Sequence, residues 1–375
     1  MIDLDRLAES IEPIIPIAEL AATPQDPGFH AEGDVWTHTQ MAVQALREGP
    51  LYAALDPLAK RIVATAVALH DIGKPATTRE ELGKLSSRGH SAKGETLARA
   101  ALWRLGVPFA VREHICALIR HHQVPMFGIT KPDSARLARR LSLALRHDWL
   151  VAVADADARG RRCANPADQT TIVEHCALWT EHARELGILD RAQAFASPHT
   201  RRVWCESPAR QPDVLAHDDT TCEVILMAGL PAAGKNTWLA AHRPELPVIS
   251  LDELRGALDI DPDDPQGEVI AAAREQARVY LRAGTSFAWN ATNVSRALRG
   301  QLLELFRGYR ARTHIVYCEA KSADLLERNR GRQDPVPRAV IAKMISRWTV
   351  PDPGEAHIVT YVVDRTDDEI AWPPL

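Results

Sequence analysis

Val224-Ile225-Leu226-Met227-Ala228-Gly229-Leu230-Pro231-Ala232-Ala233-Gly234-Lys235-Asn236-Thr237 decides the fold of the second half of this chain. Five apolar residues read as a buried strand, and G-x-x-x-x-G-K follows at once. The glycines let backbone N–H groups turn inward around a phosphate chain. The helix that the pattern opens adds its positive end. Lys235 reaches the outer phosphates as a point charge. The expected cradle is therefore Gly229, Ala233, Gly234, Lys235, Asn236 and Thr237. Asn236 stands where Ser or Thr normally meets Mg²⁺, with Thr237 one place later.

Beyond this segment the pattern alternates. Val224–Ala228, Pro247–Leu251, Ser286–Trp289, Thr313–Cys318 and His357–Val363 read as strands. Helical stretches lie between them, near 236–242, 267–283, 295–310 and 335–348. That order predicts an α/β domain over 222–375, with a parallel sheet covered by helices on both faces and phosphate bound at the carboxyl end of its first strand. Residues 201–221, with Ser207-Pro208, Gln211-Pro212 and the polar cluster His217–Thr221, read as a linker or surface connection. Residues 1–200 read as all-α: Asp56–Leu69 and Gly94–Leu105 carry apolar residues at helical spacing, and no alternating strands are evident.

Phosphoryl transfer needs an acceptor hydroxyl held in line and a group to take its proton. Asp252, just past the second strand, is placed for that role, though Asp at such a position also caps helices. Glu327-Arg328-Asn329-Arg330-Gly331-Arg332-Gln333 reads as a mobile lid that brings guanidinium groups onto phosphates. These residues, with Asp252-x-x-Arg255, Ala291-Thr292-Asn293 and Val336-Pro337, resemble the 5′-hydroxyl polynucleotide kinases of phage and bacterial end-healing enzymes. The resemblance implies ATP with Mg²⁺ as donor. It makes Asp252 the general base, puts Arg255 on the acceptor strand and Thr292 and Asn293 in the acceptor pocket, and makes Arg328 and Arg332 the lid arginines.

In the first half, His38, His70-Asp71, His90, His121-His122 and the pair Asp155/Asp157 carry the chemistry. His70-Asp71 ends the apolar run Ile62–Leu69, and two buried polar side chains there are costly unless satisfied. A divalent ion shared with His38 and a later carboxylate satisfies both. Mixed imidazole and carboxylate ligands suit Mn²⁺, Fe²⁺, Co²⁺, Ni²⁺ or Zn²⁺ better than an oxygen-only Mg²⁺ cage. Such an ion activates water and offsets phosphate charge, and Lys74 is placed to hold the phosphate. The spacing H…HD…D resembles the HD phosphohydrolases. His90-x-x-x-Gly94, Gly106-Val107-Pro108, His122 and Asp157-Ala158-Arg159-Gly160-Arg161 are most similar to the HD domain attached to bacterial CCA-adding enzymes. The resemblance favours Asp157 over Asp155 as the last ligand, while the bare spacing permits either. It assigns His90, His121 and His122 to a second metal or the scissile phosphate.

The net charge of −4 gives no global basic field, which argues against bulk coating of nucleic acid but not against recognition of an end. The six cysteines are scattered and form no C-x-x-C pair, as expected of reduced thiols in a cytosol. The opening stretch Met1–Ser10 lacks a signal-peptide core, and no apolar run approaches a membrane span, so a cytoplasmic protein without membrane contact is expected. Trp238 and Trp289 read as core residues. Together the halves resemble the bacterial HD-domain polynucleotide kinases. That implies a bifunctional enzyme on RNA or DNA ends, one activity phosphorylating 5′-OH and the other removing 2′-, 3′- or 2′,3′-cyclic phosphate. Such ends are what a nucleic-acid ligase needs, and whether a ligase is a functional partner stays open. Two alternatives remain: a small-molecule kinase fused to a nucleotidase, and a non-catalytic ATP-binding sensor with an HD signalling domain.

Overall fold

The computed structural model describes residues 14, 17–207, 210–261 and 264–363. Met1–Ser10, Pro208 and the end of the expected 222–375 domain lie outside the described residues. The chain divides into two compact units between Gln193 and Ala194.

The first unit is helical: α1 (Ile17–Ala21), α2 (Val35–Glu48), α3 (Pro50–Ala53), α4 (Pro57–Leu69), α5 (Lys74–Thr77), α6 (His90–Arg104), α7 (Phe109–His121), α8 (Val124–Gly128), α9 (Ser134–Leu141), α10 (His147–Arg159) and α11 (Pro166–Glu185). Asp34 and Asp56 cap α2 and α4, each accepting a backbone N–H three residues on, which satisfies an orphan donor of the first turn. Ile62, Val63, Ala66 and Leu69 of α4 are buried where α4 packs against α2, α7 and α10. Each such Ile, Val or Leu contributes about 1.5–3 kcal/mol by leaving water. The all-α expectation needs one correction. Arg79–Glu81 (β1) and Lys84–Ser86 (β2) form an antiparallel hairpin about Leu82-Gly83, both in the left-handed region. Its three-residue strands carry no apolar alternation and bury almost nothing, so periodicity had nothing to register.

The second unit opens with α12 (Pro198–Glu206), capped by Ser197. The linker expected at 201–221 therefore belongs to this unit: Trp204 and Ala216 are buried, and Thr221 donates its N–H to the Arg310 carbonyl. Prolines and polar residues there mark turns on a packed surface. The sheet follows: β3 (Cys222–Ala228), α13 (Lys235–His242), β4 (Val248–Ser250), α14 (Leu251–Leu258), α15 (Gly267–Arg282), β5 (Phe287–Asn290), α16 (Arg296–Gly308), β6 (Ala311–Glu319), α17 (Ser322–Arg330), α18 (Arg338–Ile345) and β7 (Ile358–Val363). The five strands are parallel in the order β4-β5-β3-β6-β7. All strands thus end on one edge, where Gly229, Leu251, Glu319 and Val363 stand. Helix α17 was not read from the sequence, and α14 entered only as a helix that Asp252 would cap. α17 changes the lid, because Glu327–Arg330 form a helix end and the turn begins only at Gly331.

Buried arginine–carboxylate pairs brace both units. Arg99 Nε and Nη2 grip Glu113 at 3.0 and 2.8 Å, and Arg299 grips Glu355 through Nε and Nη2 at 2.8 and 2.9 Å. Removing one member of such a pair leaves an unpaired buried charge and costs about 3–5 kcal/mol. No helix among the described residues is long and apolar enough to cross a membrane.

Candidate active sites

In the helical unit, α2 carries His38, the end of α4 carries His70-Asp71, the start of α6 carries His90, the turn after α7 carries His122, and α10 carries Asp157. Close backbone contact brings these elements together. A Cβ on Gly73 would lie 2.1 Å from the His90 carbonyl, and one on Gly160 would lie 2.3 Å from Ala42 Cα. Only glycine lets α6 reach Asp71 and α10 reach α2.

His38 Nε2 lies 3.2 Å from His70 Nε2 and 3.1 Å from Asp157 Oδ1, and His70 Nε2 lies 3.2 Å from Asp71 Oδ2. Metal bonds of about 2.1 Å place neighbouring ligand atoms about 3 Å apart, so these separations match one coordination sphere. On the other side of Asp71, Oδ1 faces His90 Nε2 at 3.4 Å and His122 Nε2 at 4.0 Å, and those two nitrogens are 3.3 Å apart. Asp71 thus stands between two groups of donors, His38/His70 and His90/His122. All six residues are buried.

Tautomers follow from the acceptors. His70, His90 and His122 place Nδ1 at 2.7, 2.9 and 2.8 Å from the carbonyls of Val67, Ser87 and Ile119. A carbonyl only accepts, so each Nδ1 carries its hydrogen and each Nε2 offers a lone pair inward. Neither oxygen of Asp71 accepts a hydrogen bond, although Oδ2 sits 2.7 Å from Lys74 Nζ. A buried carboxylate whose oxygens accept no aligned hydrogen bond, with only the Lys74 ammonium against Oδ2, fits a divalent cation beside these inward lone pairs.

Electrostatics agree. Burial opposes charge on Asp71, yet His70 and Lys74 outweigh it and hold the carboxyl well below its ordinary range. Burial likewise opposes charge on Asp157, and Arg161 and His38 reverse the effect. For His70 burial is outweighed by Asp71 and Asp157, and its pKa is raised. Burial, with the neighbouring His70 and His90, pushes His122 down to about 3.

The structure separates residues that the sequence left together. Asp157 faces the cluster, whereas Asp155 pairs with Arg159 on the surface. His122 enters the cluster, while His121, half-buried at the end of α7, stands in none of the candidate metal groups among the described residues. Lys74 does not hang free for a phosphate. Its ammonium is held by Asp71 and by the Gln25 side chain. His30 and Glu32 were not read from the sequence, and they form a third group with His38. The only local signal is His30-x-Glu32 on a turn before α2, which matches no motif. Burial opposes charge on Glu32, but His30, His38 and the Arg162 N–H hold its carboxyl far below the usual range.

In the second unit Gly229–Gly234 turn from the end of β3 into the start of α13. Gly229 sits at φ 136°, and a Cβ there would lie 2.1 Å from the Cys318 carbonyl. Lys235 Nζ folds back onto the carbonyls of Gly229 and Leu230 at 3.0 and 2.8 Å. Burial pushes its pKa down to about 8. An open cavity of about 780 Å³ runs past this loop, lined by Ala233, Gly234, Lys235, Asn236 and Thr237 together with Asp252, Glu319, Arg328 and Arg332. Asn236 Oδ1 accepts from Asn290 Nδ2 at 2.9 Å, which orients its amide.

Asp252 lies in the first turn of α14. The cap is Ser250, so Asp252 is free of that duty, and Arg255 Nη1 donates to its Oδ1 at 2.6 Å. The Arg255 Nε is taken by Gln266 at 2.9 Å. Thr292 and Asn293 do not line the cavity. The Thr292 carbonyl accepts the Gly229 N–H at 2.8 Å, and Asn293, left-handed and buried, donates its amide to the Met227 carbonyl at 2.7 Å. They hold the end of β3 in register with the cradle. Trp289 is core as expected, whereas Trp238 is half-buried on the cavity wall with its ring stacked on His242 at 4.8 Å.

Comparison with known proteins agrees with this division. Residues 35–160 match the HD domain family, and residues 224–351 match an AAA domain family. The chain is 37% identical over 123 residues to a multifunctional CCA protein of Halorhodospira halophila and 34% identical over 133 residues to a CC-adding tRNA nucleotidyltransferase of Thermus thermophilus. These alignments take in 32% and 33% of this chain but only 27% of each relative. Similar solved structures include a putative kinase from Chloroflexus aurantiacus, at 21% identity and TM-score 0.33 over 39% of this chain and 86% of that one. Another is Chaetomium thermophilum Kti12 in complex with ADP-AlF3, at 19% identity and TM-score 0.30 over 39% of this chain and 90% of that one. The chain therefore carries a mainly helical HD domain, of the kind that implies a divalent metal, followed by an α/β P-loop domain of the AAA class with a parallel five-stranded sheet.

Proposed function

We propose that this chain heals broken nucleic-acid ends, phosphorylating 5′-OH termini in its P-loop domain and removing 2′-, 3′- or 2′,3′-cyclic phosphate in its HD domain. The observation that carries the reading is the P-loop cavity. It gathers a cradle lysine, a carboxylate unburdened by capping and two arginines from three separate segments, α13, α14 and α17 with the turn that follows it. Its position at the carboxyl edge of a parallel sheet is where such folds bind ligands.

In the kinase step, the acceptor 5′ oxygen attacks the γ-phosphorus of ATP as Asp252 takes its proton, and ADP departs. Arg255 aims the Asp252 carboxylate. Lys235 leaves its two carbonyls for the phosphates, and Arg328 and Arg332 meet the charge that develops in transfer. Asn236 and Thr237, which line the cavity, would be the side chains to hold a Mg²⁺ that accompanies ATP.

In the HD domain, His38, His70, Asp71 and Asp157 would hold one divalent ion, and His90 and His122 with the second Asp71 oxygen would hold another. Bound there, the ions supply Lewis-acid activation of water and offset phosphate charge. Lys74 holds Asp71 in place, and the three Nδ1–carbonyl contacts keep the imidazoles aimed inward. Likeness to tRNA nucleotidyltransferases supports a nucleic-acid substrate.

The test is an oligonucleotide bearing 5′-OH and 2′,3′-cyclic phosphate, incubated with ATP, Mg²⁺ and Mn²⁺ and read at both ends by mass. Gain of a 5′ phosphate and loss of the terminal phosphate are expected. Phosphate transfer to nucleosides or sugars with none to the oligonucleotide overturns the polynucleotide assignment.

A further inference from the structure

We infer that Glu32 is a positioning residue of the HD metal centre, the carboxylate that aims His38 at the ion and braces His30 beside it. The inference rests on the metal reading above. Of the four imidazoles around Asp71, three anchor Nδ1 on a carbonyl three residues earlier in their own segment. His38 differs. It sits within the first turns of α2, where its own N–H and the neighbouring carbonyls serve the helix. Its Nδ1 makes no aligned hydrogen bond; the polar group against it is Glu32 Oε1, a buried ion-pair contact at 3.0 Å, while its Nε2 faces His70 and Asp157. The orientation of this one ligand therefore depends on a side chain from another segment.

Glu32 is built for the task. Its carboxylate is fully shielded from solvent. Oε1 also meets His30 Nδ1 at 2.8 Å, and Oε2 accepts the Arg162 N–H at 2.9 Å. The turn that carries it closes where the Gln25 N–H meets the Gly33 carbonyl at 2.9 Å, and the Ala31 N–H donates to the Arg162 carbonyl at 2.7 Å. Arg162 follows Arg161, which grips Asp157. One carboxylate thus ties the turn before α2 to the segment after α10, the two elements that deliver His38 and Asp157.

The same three residues also form a candidate metal group. A cation there would displace the imidazole N–H groups from Oε1 and turn His38 away from His70 and Asp157. Positioning and direct ligation therefore predict different binding curves.

The experiment titrates the metal-stripped full chain with Mn²⁺, reading affinity and ion count by calorimetry. Melting in EDTA and ATP-dependent 5′ phosphorylation are measured beside it. Glu32→Ala should weaken Mn²⁺ binding by about 10–100-fold with the ion count and phosphorylation unchanged, and it should lower melting in EDTA because the Arg162 N–H loses its acceptor. Glu32→Gln, which keeps one acceptor oxygen, should fall between Glu32→Ala and wild type, and it decides alone if Glu32→Ala fails to fold. Wild-type affinity in Glu32→Gln overturns the inference. So does loss of one ion with the remaining sites at wild-type affinity, since His30, Glu32 and His38 would then be ligands. A wild-type chain that takes up no Mn²⁺ overturns the metal reading itself and this inference with it.

Discussion

The HD cluster and the P-loop cradle are made in opposite ways. The cradle is one contiguous run, Gly229–Thr237, and its work is done mainly by backbone N–H groups. The HD cluster is six side chains from five segments between His38 and Asp157, and all of them are buried. A backbone site needs only local conformation, so a short pattern specifies it. A side-chain site needs several elements packed at once, and each member depends on contacts remote in sequence.

The sharpest break of this comparison is a pair of crossed variants. Asp71→Ala removes the carboxylate between the two donor groups, so bound metal and terminal-phosphate release should both fall by more than about 100-fold. The 5′ phosphorylation should stay within about twofold. Lys235→Ala should do the reverse, costing phosphorylation about 100-fold or more and leaving metal content intact. Both activities are measured on one doubly labelled oligonucleotide. Joint loss in either variant sinks the independence of the two sites.

Asp252→Asn keeps the shape and the Arg255 contact while removing basicity. It should lower kcat for phosphorylation by about 10²–10⁴-fold. Full turnover would mean that Asp252 orients the acceptor without taking its proton.

Arg328→Ala and Arg332→Ala should each lower kcat by roughly 10–100-fold and move KM for ATP far less, as expected of groups that meet developing charge. An effect confined to KM would reassign them to ground-state nucleotide binding.

The smallest expected effect is on pH dependence. Burial lowers Lys235 to about 8, and phosphate favours its charged form. ATP affinity, read by calorimetry, should therefore weaken several-fold as pH rises from about 8 to 9, with proton uptake on binding. The same shift means that the unfolded chain binds more protons between pH 8 and about 10.4, so this group adds stability to the nucleotide-free fold as pH rises through that window. The HD site should behave oppositely. The raised His70 pKa makes protons compete with metal as pH falls, and metal uptake should release protons. A pH-independent Kd for both ligands would remove the contrast.

The two sites were also unequally legible before folding was known. Strand, cradle and helix start at 224–237 are local, and the structure keeps them nearly residue for residue. Sequence cannot show that Asn293 spends its amide on the Met227 carbonyl, or that the Thr292 carbonyl takes the Gly229 N–H. Helix α17 was missed, and α14 entered only as a helix that Asp252 would cap, because eight or nine residues span little more than two turns and give a period few repeats to register.

By itself the sequence determined the two-part architecture, the parallel sheet, the cradle and the residue types of a metal cluster. These follow from hydrophobic period, glycine placement and local spacing, which act over a few residues. Tertiary structure alone decided between Asp155 and Asp157, and between His121 and His122. Neighbours on a helix point to different faces, and packing chooses which face is buried. It also decided that Lys74 leans on Asp71 and that Glu32 stands behind His38. A buried polar group must find its partner through space, and for Glu32 and Arg162 that partner lies 130 residues away along the chain.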